Sequence, residues 1–199
     1  MRTVAITGGT GGLGTAVVER LSSEFRCVVL GHAQVDVTSE ESVRKAFGEL
    51  GELYALVHLV GGFAPGAIGE TSLETWSRML TLNLTAAFLT VREALPRLTR
   101  PGRIVAVSSI ATLTPSGGTL AYSVAKSALN SLVQSVAAGE RGTGVTVNAV
   151  LPDSMATPAM LKEMDASKLV PLERMAETIA FLLSEGAAGI TGTLIPIRK

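Results

Sequence analysis

Short apolar runs alternate with amphipathic stretches along most of this chain. The runs fall at Arg2–Thr7, Arg26–Leu30, Leu53–Val60, Arg103–Ser108, Val145–Leu151 and Ile190–Ile197. Several are apolar at nearly every position, as strands are when helices cover both faces of a sheet. Helical spacing fills the intervals at Gly12–Leu21, Ser39–Glu49, Thr81–Leu98, Leu120–Ala138 and Leu172–Ser184. The alternation predicts an α/β fold: a doubly wound, Rossmann-like parallel sheet in a single domain over residues 1–199. Right-handed crossovers then bring the carboxyl ends of the strands, where such folds bind ligands, to one edge.

One interval breaks the rhythm. Only Gly31, His32 and Ala33 separate Leu30 from Gln34-Val35-Asp36-Val37. A parallel crossover needs about 10–12 residues. The fold is therefore predicted to be shortened after the second strand, with a helix missing and the next edge strand rudimentary or absent. The segments Thr81–Leu98 and Leu120–Ala138 are apolar over more than one face. Either both are core helices, or one face of each packs on the sheet and the other on a second copy. The second reading is preferred, because a domain of this size has little depth to hide two such faces, and it predicts a homodimer or homotetramer.

Between the first strand and first helix lies Thr7-Gly8-Gly9-Thr10-Gly11-Gly12-Leu13-Gly14. A turn this rich in glycine lets the backbone approach a diphosphate, and the helix after it aims free N–H groups at the anion. The spacing is G-x-x-x-G-x-G, and a merely flexible turn would look similar. Its place between strand and helix favours a dinucleotide site.

Tyr122 and Lys126 are spaced i, i+4, adjacent on one helical face. A nearby cation lowers a phenol's pKa toward the range useful for proton transfer. A packed tyrosine beside a solvated lysine would have the same spacing. Ser108 and Ser109 end an apolar strand at the ligand-binding edge, where serines also commonly begin loops. Asn83 opens the long helical segment and would serve equally as a cap.

Composition narrows the partners. Lys plus Arg and Asp plus Glu both number 17, and aromatics make up 4%. Neither figure supports nucleic acid or an anionic membrane as a partner. Cys27 is the only cysteine, so no internal disulfide forms, and no signal peptide or membrane span is apparent. A cytoplasmic protein is expected.

Taken together, Thr7-Gly8-x-x-x-Gly12-x-Gly14, Asp36, Asn83, Ser109, Tyr122-x-x-x-Lys126 and Asn148-Ala149-Val150-Leu151-Pro152 resemble the short-chain dehydrogenase/reductase family across essentially the whole chain. The resemblance implies an NAD(P)-dependent oxidoreductase acting on a small carbonyl or alcohol, with no metal. Tyr122 is then the acid/base, and Ser109 holds the substrate oxygen, with Ser108 as its neighbour. Lys126 holds the nicotinamide ribose and lowers the Tyr122 pKa, and Asn83 positions a water. Gly8, Thr10, Gly12, Leu13, Gly14, His32, Asp36, Val37, Gly61, Tyr122, Lys126, Pro152 and Thr157 are the implied cofactor contacts. His32, with Gly31 standing where NAD-selecting members carry an acid, mildly favours NADP over NAD.

There are departures. His58-Leu59-Val60-Gly61 replaces the family's Asn-Asn-Ala-Gly, which makes His58 either a neutral hydrogen-bonded strand-end residue or a pH-sensitive group. Pro152-Asp153 replaces Pro-Gly, so Asp153 either caps a turn or meets a cationic substrate group. The stretches Val60–Gly66 and Leu151–Leu172 are similar to dihydropteridine reductases of the same superfamily, making pterin reduction an alternative. A non-catalytic dinucleotide sensor is another. Phe63, Met155, Met160 and Met164 are candidates for an apolar wall or lid, or for ordinary core, and Trp76 reads as buried structure.

Overall fold

A computed structural model describes all residues, 1–199. Its strands are β1 Thr3–Thr7, β2 Arg26–Leu30, β3 Leu53–His58, β4 Leu98–Val107, β5 Val145–Pro152 and β6 Leu194–Ile197. Its main helices are α1 Gly12–Leu21, α2 Glu40–Gly48, α3 Leu73–Leu80, α4 Ala86–Ala94, α5 Leu120–Gly139 and α6 Leu172–Leu183. The six strands form one parallel sheet in the order β2-β1-β3-β4-β5-β6. Leu13, Val17 and Leu21 of α1 join Met175 and Ile179 of α6 on one face. Phe47 of α2, Ala87 of α4 and Leu129 of α5 cover the other. The chain reverses direction across the sheet between β1 and β3, the point at which such folds leave a crevice for a ligand.

The predicted shortening is present. β2 is the edge of the sheet, and no strand follows before α2. Gln34 and Val35 both donate backbone N–H groups to the Gly31 carbonyl, folding residues 31–39 into a compact turn. Ser39 caps α2 by accepting the N–H of Ser42 at 3.3 Å.

The predicted helix Thr81–Leu98 needs correction. The helical path begins at Leu73, where Ser72 accepts the N–H of Thr75 at 3.1 Å. Between α3 and α4 it widens into a π-turn at Thr81–Thr85, and Ala86 N–H bonds to Thr81 O, five residues back. The Asn83 side chain sits within the widening, and its Nδ2 donates to Met79 O at 3.0 Å, the carbonyl one α-helical turn back. Such turns concentrate at functional sites. The path ends in a short 3₁₀ turn, Leu95–Arg97.

Three strand limits differ from expectation by more than one residue. β3 stops at His58 rather than Val60, β4 begins at Leu98 rather than Arg103, and β6 begins at Leu194 rather than Ile190. Register shifts between Leu53 and Ala55, so Pro101-Gly102 is absorbed as an irregularity and not as a break. Trp76 is half-buried against Ala64, Met79, Ala121 and Ala125, the structural placement expected of it.

Candidate active site

The glycine turn sits at the carboxyl end of β1. Gly8 has φ +74, which a side chain would strain, and its N–H donates to Leu30 O at 3.1 Å. Gly14 packs α1 directly on the turn: a β-carbon there would lie 2.5 Å from the Gly9 carbonyl carbon and against Gly8 O. Leu13 is buried with Val17 under the sheet, so its side chain belongs to the core and anchors the helix. Gly12 faces Thr157 and Pro158, and a β-carbon on it would lie 3.1 Å from the Pro158 ring.

Two depressions flank this turn. The first, of about 510 Å³, is lined by Gly8, Thr10, Gly31, His32, Asp36, Val37 and Gly61, among others. Gly31 has a steric reason to lack a side chain. A β-carbon there would stand 2.6 Å from Thr10 Cγ2 and 2.9 Å from Gln34 Oε1, whose oxygen accepts the Gly31 N–H. Asp36 accepts both the N–H and the hydroxyl of Thr38, at 2.9 and 2.6 Å, and these bonds hold its carboxyl below the usual range.

The second depression, of about 560 Å³, gathers Ser109, Tyr122, Pro152 and Thr157 with Phe63, Asp153, Met155, Met160 and Glu163. The Phe63 ring stands edge-on to Tyr122, centroids 5.1 Å apart at 72°. Ser109 lines the same cavity as Tyr122 and accepts the Ala111 N–H at 3.2 Å. Ser108 also borders the cavity, and its hydroxyl donates to Lys126 O at 3.4 Å. Phe63, Met155 and Met160 supply the expected apolar wall, and Met164 is exposed outside it.

Lys126 is buried one helical turn from Tyr122, and its Nζ donates to Val107 O at 2.8 Å. Burial pulls its pKa down to about 8. The expectation that Lys126 lowers the Tyr122 pKa is not met. Burial pushes Tyr122 up, and the opposing contribution comes from Ser109. Asn83 is fully buried and committed to backbone: Oδ1 accepts Gly62 N–H at 3.1 Å, and Nδ2 donates to Gly62 O at 2.9 Å. Gly61 keeps this junction open, since a β-carbon there would lie 2.7 Å from Asn83 Oδ1 and 2.9 Å from Lys126 Nζ.

A family model described as enoyl-(acyl carrier protein) reductase matches residues 3–198. The chain is 33% identical to the 3-oxoacyl-(acyl-carrier-protein) reductase FabG of Aquifex aeolicus, over 98% of this chain and 86% of that protein. It is 29% identical to the 2,5-dichloro-2,5-cyclohexadiene-1,4-diol dehydrogenase LinX of Sphingobium indicum, over 96% of this chain and 92% of the other. A solved short-chain dehydrogenase/reductase from Serratia marcescens superposes with a TM-score of 0.88 at 26% identity, covering 98% and 96% of the two chains. The chain belongs to the short-chain dehydrogenase/reductase family. It is thereby placed among NAD(P)-dependent oxidoreductases. No helix is long and apolar enough to cross a membrane.

This short-chain dehydrogenase/reductase differs from the family pattern at His58, whose place is now clear. The ring is fully buried, with Nδ1 2.9 Å from Thr7 Oγ1 and 3.0 Å from Thr90 Oγ1, while Nε2 has no partner. Burial, with a smaller push from the Lys126 charge, lowers its pKa from 6.5 to about 3. It is the neutral strand-end residue of the two readings, and no proton exchange near neutrality is available to it. Because the folded pKa is depressed, the unfolded chain takes up the proton first as pH falls through 6.5. Stability is therefore lost progressively between about pH 6.5 and 3, by about 2 kcal/mol by pH 5. Urea unfolding of His58→Gln should show a shallower fall from pH 7 to 5. Equal slopes would contradict the burial of a neutral imidazole.

Asn148 of the family signature is structural. Its Nδ2 donates to Ile190 O at 2.7 Å and its Oδ1 accepts Thr193 N–H at 3.1 Å, bracing the approach to β6. Sequence reading missed Glu163 on the cavity wall. It carries no local signal, because it acquires its place only when distant loops meet.

Proposed function

We propose that this protein transfers hydride between a nicotinamide cofactor and a small carbonyl or alcohol, with Tyr122 as the proton donor and acceptor. The observation that carries the reading is the convergence of Ser109 and Tyr122 on one cavity, beside a glycine turn that leads to a second depression. The residues fit the cofactor. Gly8, Thr10, Gly12 and Gly14, with the N-terminus of α1, suit a diphosphate. Val37, Asp36 and His32 line the space suited to the adenosine half, and Thr157, Pro152 and Gly61 border the nicotinamide half. When bound, the cofactor supplies or accepts the hydride. Lys126 holds the ribose hydroxyls, and Asn83 is a positioning residue that ties the loop at Gly62 to the π-turn.

In carbonyl reduction, Ser109 donates a hydrogen bond to the substrate oxygen and polarises it. Tyr122 then gives that oxygen its proton as charge develops there. Burial pushes the Tyr122 pKa up, so the phenol carries its proton before the transfer.

NADP is favoured over NAD, because Gly31 presents no acidic side chain to repel a 2′-phosphate and His32 borders the same space. A panel of small ketones, with NADPH and NADH followed by nicotinamide absorbance, tests both statements. Turnover with tighter NADPH binding is expected. Absence of turnover across the panel would defeat the reaction, and equal affinities would remove His32 from cofactor choice. The enzyme is further proposed to be cytoplasmic and to pair through α4 and α5, where Phe88 and Val124 stay 44% and 38% exposed. Light scattering should report a dimer or tetramer, and a monomer at assay concentration would exclude the pairing.

A further inference from the structure

The walls of the substrate cavity are chemically lopsided. Two carboxylates, Asp153 and Glu163, reach it, and no lysine or arginine does. The cation nearest Asp153 is Arg198, at 3.9 Å in a loose pair whose arginine side chain is 60% exposed. Glu163 has no ion-pair partner, and its chain neighbour Lys162 is not on the lining. Lys126 is buried next to Tyr122 and spends a hydrogen bond on Val107 O. The apolar part of the wall is Phe63, 61% exposed and edge-on to Tyr122, with Met155 and Met160. A ring face and two carboxylates around one cavity attract a cation and repel an anion.

Resting on the oxidoreductase reading above, we infer that the natural substrate is a small carbonyl or alcohol carrying a protonated amine, and that carboxylated or phosphorylated substrates are excluded. The ammonium group lies between Asp153 and Glu163, with the reacting carbon toward Ser109 and Tyr122. The chemistry balances as an ordinary reduction. The C=O π bond breaks, its carbon gains hydride from the reduced nicotinamide, and its oxygen gains the Tyr122 proton. A secondary alcohol and the oxidised cofactor result. Specificity of this kind works by penalising the wrong charge as much as by attracting the right one. It also separates this chain from any reductase that must take a phosphorylated acyl carrier, since that group would meet the same carboxylates.

The test uses three cyclohexanones that differ only in one ring substituent, an ammonium, a hydroxyl or a carboxylate, with the NADPH-loaded protein. The kcat/KM for the ammonium ketone should exceed that for the carboxylate by at least about tenfold, and the ratio should shrink as salt is raised. In the double variant Asp153→Asn, Glu163→Gln the ratio should fall to within about threefold. Glu163→Gln alone, on an exposed turn, should move it part of the way. A ratio near one in the native protein, or one that the variants leave unmoved, overturns the inference. If no ketone is reduced, calorimetric titration of the same three compounds separates the two readings. Tighter binding of the ammonium compound keeps the charge selection and sinks only the redox assignment; equal binding sinks both.

Discussion

Replacing Tyr122 by phenylalanine should lower kcat/KM about a thousandfold, leaving the NADPH dissociation constant within about threefold of the native value. The size follows from what is removed. Only the hydroxyl goes, so the ring contact with Phe63 and the packing of α5 remain. The substrate oxygen loses its proton source, while Ser109 and the oriented nicotinamide remain and leave a residual rate. Stopped-flow or steady-state absorbance of the nicotinamide measures the first quantity and fluorescence titration the second. Activity within tenfold of native would remove Tyr122 from the proton transfer. Loss of cofactor affinity in step with activity would mean that the phenol serves binding instead.

The second large effect is expected at Gly14. An alanine there would place its β-carbon 2.5 Å from the Gly9 carbonyl carbon and against Gly8 O. Backbone stands in the way on both sides, so α1 or the turn must move. The cost should be at least about 2 kcal/mol even after the modest helix-propensity gain of alanine, a fall of about 4–8 °C in Tm. The N–H groups meant for the diphosphate move with the helix, and NADPH affinity should fall about a hundredfold. Gly12→Ala is the informative contrast. Its β-carbon meets the Pro158 ring at 3.1 Å and Thr157 at 3.5 Å, and side chains on a loop can yield. Calorimetric melting should show a smaller loss there. A Gly14→Ala protein as stable as native would mean that the turn is not the rigid junction described.

These two residues were legible in the chain because their chemistry is local. A glycine turn between strand and helix, and a phenol four residues before an ammonium, carry their meaning in spacing. The shortened edge was equally legible, since three residues cannot hold a crossover helix. The route of the helix through Asn83 was not. Hydrophobic periodicity marks Thr81 onward strongly, whereas Leu73–Leu80 is polar apart from Leu73, Trp76, Met79 and Leu80 and hides its start. The widening at Thr81–Thr85 is accompanied by a side chain reaching the Met79 carbonyl, a contact that no pattern of apolar positions encodes. The upward push on Tyr122 was hidden for a similar reason. Spacing places a lysine one turn away, but burial, a property of the whole fold, sets the direction, opposed only by Ser109. Glu163 reaches the cavity only because the segment after β5 folds back over the carboxyl end of the sheet.

The π-turn has an implication for how this chain tolerates insertion and deletion. A turn closed by an i to i+5 bond takes up about one residue more than an α-helical turn at little change in the direction of its flanks. Removing a single residue from Thr81–Thr85 would let the helix run on uniformly, with α3 and α4 still presenting the same sides to the sheet. What would disappear is the clamp on Gly62, and with it the placement of the loop after β3. Scaffold and chemistry can be uncoupled at this point by the length of the chain alone, without altering any residue of the cavity.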